Sequence, residues 1–152
     1  MTLAVKRVLA VASGGGHWVQ LQRLRPALEG HDVVYVATHA GYADEVAPFR
    51  LHVVNNASRK HKLSMLLLVL RMCLILIRVR PHVIISTGAA PGYVAMRFGR
   101  LMRARTVWID SMANVDEMSL AGRLAKRYAD LWLTQWPHLA SAEGPQYAGA
   151  VM

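Results

Sequence analysis

Arg7-Val-Leu-Ala-Val-Ala-Ser-Gly-Gly-Gly-His17 decides the fold. An apolar run without polar alternation breaks on three glycines and opens into a stretch with helical spacing of its apolar residues. Such a run suits a strand buried on both faces, which is the hallmark of a parallel sheet. The same succession repeats outward along the chain. Strands are predicted at 7–12, 32–38, 52–54, 83–87, 106–110 and 131–134, and helices at 17–28, 43–48, 60–79, 92–102 and 120–129. The tail from Pro137 reads as irregular. Right-handed crossovers between parallel strands then give an α/β, Rossmann-like sheet with helices on both faces, in a single domain over 1–152.

Composition narrows the function. With 54% hydrophobic and 18% charged residues over 152 positions, disorder, collagen and coiled coil are excluded. Lys and Arg total 18 against 9 Asp and Glu, a formal charge of +9. A polyanion, an anionic membrane or a phosphorylated substrate is the natural partner for that charge. The single Cys73 excludes an internal disulfide framework and a cysteine zinc site, and fits a reducing compartment. The short apolar run before Ser13 is too brief for a signal-peptide core, so no targeting segment is expected. The apolar stretch 63–77 would reach only about 22 Å as a helix, short of the ~30 Å hydrocarbon core.

In folds of this class ligands gather at the carboxyl ends of the strands. Three loops fall there. Ser13, Gly14, Gly15, Gly16 and His17 join the first strand to the first helix, where glycines let backbone amides approach an anionic oxygen at the positive helix end. The loop lacks the third glycine of a dinucleotide fingerprint, and the second strand ends in Thr38-His39 without a ribose-binding acid. No P-loop lysine follows either. A tight turn without ligand is the alternative. His17 is a candidate base, imidazole being the side-chain type suited to proton transfer near neutral pH. Gly88, Ala89, Ala90, Pro91 and Gly92 repeat the theme after the fourth strand, either opening a crevice or permitting close helix packing. Asp110 leaves the fifth strand, followed by Ser111 and Asn114; it has either a catalytic role or an arginine partner from the 97–105 cluster.

The stretch 60–80 carries more apolar surface than packing on one sheet face requires, with Ser64, Arg71 and Arg78 forming a thin polar line. Lys60, Lys62, Leu66, Leu70 and Arg78 are candidate membrane contacts for a helix lying in the interface of an anionic bilayer. A fully buried crossover helix and a subunit interface remain alternatives. Trp108, Trp132 and Trp136 read as core, and nucleic-acid binding rests only on a basic cluster, so it is disfavoured.

Taken together, SGGGH at 13–17, RPHVIISTGAAPG at 80–92 and TVWIDSMANVDEMSLAGRLAKRYADLWLTQW at 106–136 make the chain resemble PssD-like bacterial exopolysaccharide glycosyltransferase subunits. These are similar to the membrane-anchoring subunit of the eukaryotic two-chain GlcNAc transferase, and more distantly to MurG. The resemblance implies the N-terminal, acceptor-side half of a GT-B glycosyltransferase, with a separate donor-binding partner chain and a polyprenyl-diphosphate-linked saccharide as acceptor. It implies that Gly14, Gly15, Gly16 and His17, with the 88–92 loop, cradle the diphosphate, that His17 or Asp110 is the base, and that no metal or cofactor takes part. Asp110, Ser111 and Asn114 stand where the family more usually has Glu-Ser-x-Ala-Arg, which shortens the acid and removes a cation. Attachment at the cytoplasmic face of a membrane would be peripheral, through 63–77. The alternatives are a self-contained nucleotide-binding enzyme and a basic nucleic-acid-binding domain.

Overall fold

The computed structural model describes residues 4–151; residues 1–3 and 152, at the limits of the expected domain, lie outside them. The strands are β1 (Arg7–Val11), β2 (Asp32–Ala37), β3 (Arg50–Val53), β4 (Val83–Ser86), β5 (Arg105–Ile109), β6 (Leu131–Thr134) and β7 (Gln146–Tyr147). The helices are α1 (Gly16–Arg23), α2 (Ala43–Val46), α3 (Lys62–Val79), α4 (Ala89–Leu101) and α5 (Leu120–Ala125). All strand pairs are parallel, in the order β3-β2-β1-β4-β5-β6-β7. The expected Rossmann-like α/β fold is therefore present. The order reverses between β1 and β4, so the crevice above their carboxyl ends is the topological switch point where such sheets bind ligands.

The pleat distributes each strand between two cores. Val8, Ala10 and Ala12 pack with Trp18, Leu21 and Leu28 on one face. Leu9 and Val11 join Leu68, Met72, Leu76, Val94 and Met96 on the other, beneath α3 and α4. Burial on both faces is why the strand sequences lack polar alternation.

Helix α3 buries only one stripe, Leu68, Met72, Ile75, Leu76 and Val79. Its opposite side exposes Leu63, Leu66, Leu67, Leu70, Leu74 and Ile77. The alternative of a fully buried crossover helix is thereby overturned, since a single layer of sheet covers one side of the helix and, among the described residues, the other side stays exposed. Among the described residues no helix is long and apolar enough to cross a membrane.

Element ends moved for identifiable reasons. The helix expected at 17–28 stops at Arg23 and becomes a 3₁₀ turn, Arg25–Leu28. Pro26 lacks the N–H that an α-helix needs there and disfavours helical backbone at the residue before it. Helix α4 begins at Ala89 instead of Gly92, placing Pro91 in the first turn, where a missing N–H costs nothing. The helix expected at 120–129 is α5 plus a 3₁₀ turn at Lys126–Tyr128. Strand β3 starts two residues before the expected His52. The tail expected to be irregular contributes β7, which pairs with β6 through Leu133 and Thr134.

Candidate functional site

The two glycine loops flank the switch point, one after β1 and one after β4. Gly15 occupies the N-cap of α1 with φ +58°, a conformation that favours glycine, and no side chain caps the helix. One loop amide is already used: Gly15 N–H donates to the Tyr42 hydroxyl at 3.1 Å. Tyr42 is fixed by stacking on Trp18, with ring centroids 4.3 Å apart. Gly15 and Gly16 are exposed, while Ser13 and Gly14 are half-buried.

His17 links the loops. Its Nδ1 lies 3.0 Å from the Thr87 carbonyl oxygen, and the Thr87 hydroxyl donates to the His17 carbonyl at 2.7 Å. A carbonyl only accepts, so Nδ1 carries a proton, and in the neutral ring the lone pair is then on Nε2. Among the described residues Nε2 has no protein partner. The imidazole lies so close to Gly88 that a Cβ there would stand 2.5 Å from Nδ1. Gly88 has φ +138° and Ala89, the first residue of α4, has φ +65°. Helix α4 has no side-chain cap either, although Gly88 N–H donates to Ser86 Oγ at 3.1 Å. Two uncapped helix N-termini thus meet around one histidine, with a left-handed alanine at the junction.

The rest of the second loop turns inward. Pro91 and Gly92 are buried, and a Cβ on Gly92 would overlap Ser86 Oγ and stand 3.2 Å from Trp108. Gly92 therefore serves close packing of α4 on the sheet; Gly88 is buried against His17, Ala89 and Ala90 are half-buried, and Ala90 faces a cavity it shares with Ala57, Met65 and Tyr93.

Asp110 directly follows the last residue of β5. It is 2% exposed. Its carboxylate accepts from Trp108 Nε1 (3.0 Å), Ser119 N–H (2.8 Å), Ser119 O–H (2.5 Å) and Asn114 Nδ2 (3.2 Å). Among the described residues no arginine pairs with Asp110, and Arg100 pairs instead with Asp130 at 2.6 Å. Ser119 N-caps α5 by accepting from Gly122 N–H, so Asp110 ties that cap to β5. Ser111 is likewise buried, its hydroxyl accepting from Gln20 Nε2 (3.1 Å) and Ala113 N–H (3.2 Å). Gln20 Oε1 accepts from Met112 N–H (3.1 Å) and Gln135 Nε2 (2.6 Å). The structure therefore forms two groups. His17 brings the two glycine loops together, its ring against Gly88 and its carbonyl on the Thr87 hydroxyl, whereas Asp110, Ser111 and Asn114 form a network joined to α1 through Gln20.

The indoles of these tryptophans are occupied by protein acceptors, Trp108 by Asp110, Trp132 by the Gly122 carbonyl and Trp136 by the Met112 carbonyl. That suits structural residues better than stacking platforms. Tyr42 and Gln20 were not singled out in the sequence, because their partners lie 27 and 91 residues away. Ser119 did carry a signal, a serine directly before a helical stretch. Among the described residues no cluster of three His, Cys, Asp or Glu is placed to hold a metal ion.

These features define a Rossmann-like α/β lobe with two glycine loops joined through a histidine at the switch point. In fold it is similar to MurG from Acinetobacter baumannii, with a TM-score of 0.78 at 12% identity over 95% of this chain and 45% of that one. It is also similar to UDP-N-acetylglucosamine 2-epimerase from Rickettsia bellii, with a TM-score of 0.72 at 13% identity over 97% and 46% of the two chains. Residues 50–151 match the family described as oligosaccharide biosynthesis protein Alg14 like, and the chain belongs to that family. The loop 13–17 lies outside the matched residues. A relative named UDP-N-acetylglucosamine transferase subunit ALG14, from Eremothecium gossypii, is 36% identical over 66 residues, 40% of this chain and 30% of that protein. Its namesake from Yarrowia lipolytica is 37% identical over 67 residues, 40% and 31% of the two. The chain thus spans under a third of the length of these relatives and under half that of the structural neighbours.

Proposed function

We propose that this chain is the acceptor-binding, membrane-associating subunit of a two-chain glycosyltransferase of the PssD-like, bacterial polysaccharide kind. A partner subunit holds a nucleotide sugar, and this chain presents a polyprenyl-diphosphate-linked saccharide at the cytoplasmic face of a membrane. The observation that carries the proposal is the meeting of two uncapped helix N-termini at His17 and Gly88, above the β1/β4 switch point. Amides and helix dipoles directed there suit a diphosphate. The names of the Eremothecium and Yarrowia relatives support the transferase class, and the cationic, apolar α3 supports peripheral membrane contact through Lys62, Leu66, Leu70 and Arg78, with Lys60 just before the helix.

In this mechanism the acceptor hydroxyl oxygen forms a bond to the donor's anomeric carbon as the bond to the nucleoside diphosphate breaks. His17 Nε2 accepts the hydroxyl proton, with Nδ1–H held on the Thr87 carbonyl to fix tautomer and ring orientation. Asp110, enclosed by four donors, acts as a positioning residue for the loop after β5 and not as the base.

The test mixes the purified chain with its donor-binding partner, a radiolabelled nucleotide sugar and a polyprenyl-diphosphate saccharide. Turnover is expected only when both chains are present, and His17→Ala lowers it by about 10²–10⁴-fold, the usual worth of a positioned base. Full turnover by the lone chain defeats the proposal.

A further inference from the structure

At the opposite end of the sheet, beside the amino ends of β1, β2 and β3, lies a cavity of about 330 Å³ that the acceptor site does not involve. Arg7, Asp32, Arg50, His52 and Arg78 line it. Its one carboxylate, Asp32, is already paired with Arg7 Nε at 3.3 Å. Arg7 Nη1 donates to the Val79 carbonyl at 2.8 Å and so answers the free carbonyls at the end of α3 as well. Among the described residues Arg50 and Arg78 have no carboxylate partner. Two guanidinium groups and an imidazole thus share one concavity with no unpaired carboxylate among the described residues that line it. Burial first, and then the charges of Arg50 and Arg78, hold the His52 imidazole below its ordinary pKa.

Solvated surface arginines, or arginines balancing the negative end of α3, are the plainer explanation. The second is weakened because Arg7 already takes the Val79 carbonyl. The first does not explain why the unpaired cations converge on one cavity. The surroundings indicate the form in which an anion arrives. Arg78 directly follows Ile77 and stands one turn beyond Leu74, so the cavity borders the exposed stripe of α3, where Leu70, Leu74 and Ile77 are 55%, 52% and 57% exposed. An anion with hydrocarbon attached satisfies both features at once.

We propose that the Arg50–His52–Arg78 basin binds the phosphate of an anionic phospholipid headgroup while the leucine stripe of α3 enters the acyl boundary beside it. The proposal rests on the membrane contact of α3 proposed above. Flotation of the full chain with phosphatidylcholine vesicles, with and without phosphatidylglycerol, tests it. Arg50→Ser/Arg78→Ser is expected to weaken binding to the phosphatidylglycerol vesicles about 10–30-fold. Arg103→Ser/Arg127→Ser, which removes the same charge outside the basin, is expected to weaken it several-fold less. Equal effects of the two pairs overturn the basin and leave only diffuse attraction. Circular dichroism of each variant confirms folding.

A second readout is independent of the stripe. Soluble short-chain phosphatidylglycerol is expected to raise the His52 titration midpoint, followed by NMR, whereas short-chain phosphatidylcholine leaves it in place. An equal response to inorganic phosphate overturns the lipid assignment in favour of a free-phosphate site. If no vesicle captures the wild-type chain, the membrane contact of α3 fails. If vesicles capture it but the Arg50/Arg78 variant binds like wild type, the basin alone fails.

Discussion

At the residue scale the site depends on close contacts that only particular side chains allow. Gly88 combines φ +138° with an imidazole where its Cβ would be, so Gly88→Ala both strains the backbone and displaces His17. A loss of about 2–3 kcal/mol in urea denaturation is expected, together with lost turnover in the assembled enzyme. Asp110→Ala leaves four donors facing an empty volume, in a residue only 2% exposed. Destabilisation of about 3 kcal/mol or more follows, read in the same denaturation experiment. Substituting a catalytic base instead would spare stability, so the two residues separate cleanly in that assay. How legible these residues were depended on distance along the chain. His17 and the glycines declare themselves within five consecutive positions, because a turn and the helix it opens are local. Asp110 was visible as a carboxylate, but its Ser119 and Asn114 donors and the inward turn of Ser111 toward Gln20 depend on tertiary placement, so a buried hub looked the same as a base.

At the element scale, the helices owe their positions to small residues and to one ion-paired aspartate. Gly92 lets α4 lie directly on β4 and β5, against Ser86 and Trp108. Gly92→Ala must push the helix off the sheet, since one neighbour is a fully buried indole, and is expected to cost about 1–3 kcal/mol by thermal or urea unfolding. Asp130 holds Arg100 of α4 and the Thr106 amide of β5 together. Burial alone would raise its pKa, but the Thr106 hydrogen bond and the Arg100 guanidinium outweigh that and lower it. The native state therefore binds fewer protons than the unfolded chain near pH 4, so this contribution is complete above the unfolded value of about 3.9 and disappears as pH falls through the lower native one. Replacing Asp130 with Asn should flatten the acid limb of a stability–pH curve measured by chemical denaturation. Strand and helix types were readable because two-sided burial and helical spacing are periodic signals. The 3₁₀ turns and β7 were not, since a two-residue strand carries no period and is created by the neighbour it pairs with.

At the scale of the whole molecule, the chain matches 45% of MurG in fold, and the proposed function assigns a second lobe to a partner chain. If the partner supplies that lobe, catalysis depends on association between separate chains, and its concentration dependence differs from that of a single polypeptide. Turnover per chain should fall when an equimolar mixture is diluted below the dissociation constant of the pair. Joining the two chains by a flexible linker makes the encounter intramolecular, with an effective concentration on the order of millimolar. The fused protein should therefore hold constant turnover per molecule across the same dilution series. Assays with soluble, short-chain acceptor keep membrane partitioning out of the comparison. A mixture whose specific activity is unchanged down to nanomolar concentration would mean either a very tight pair or a self-sufficient lobe, and omitting the partner decides between them: only the self-sufficient lobe continues to turn over.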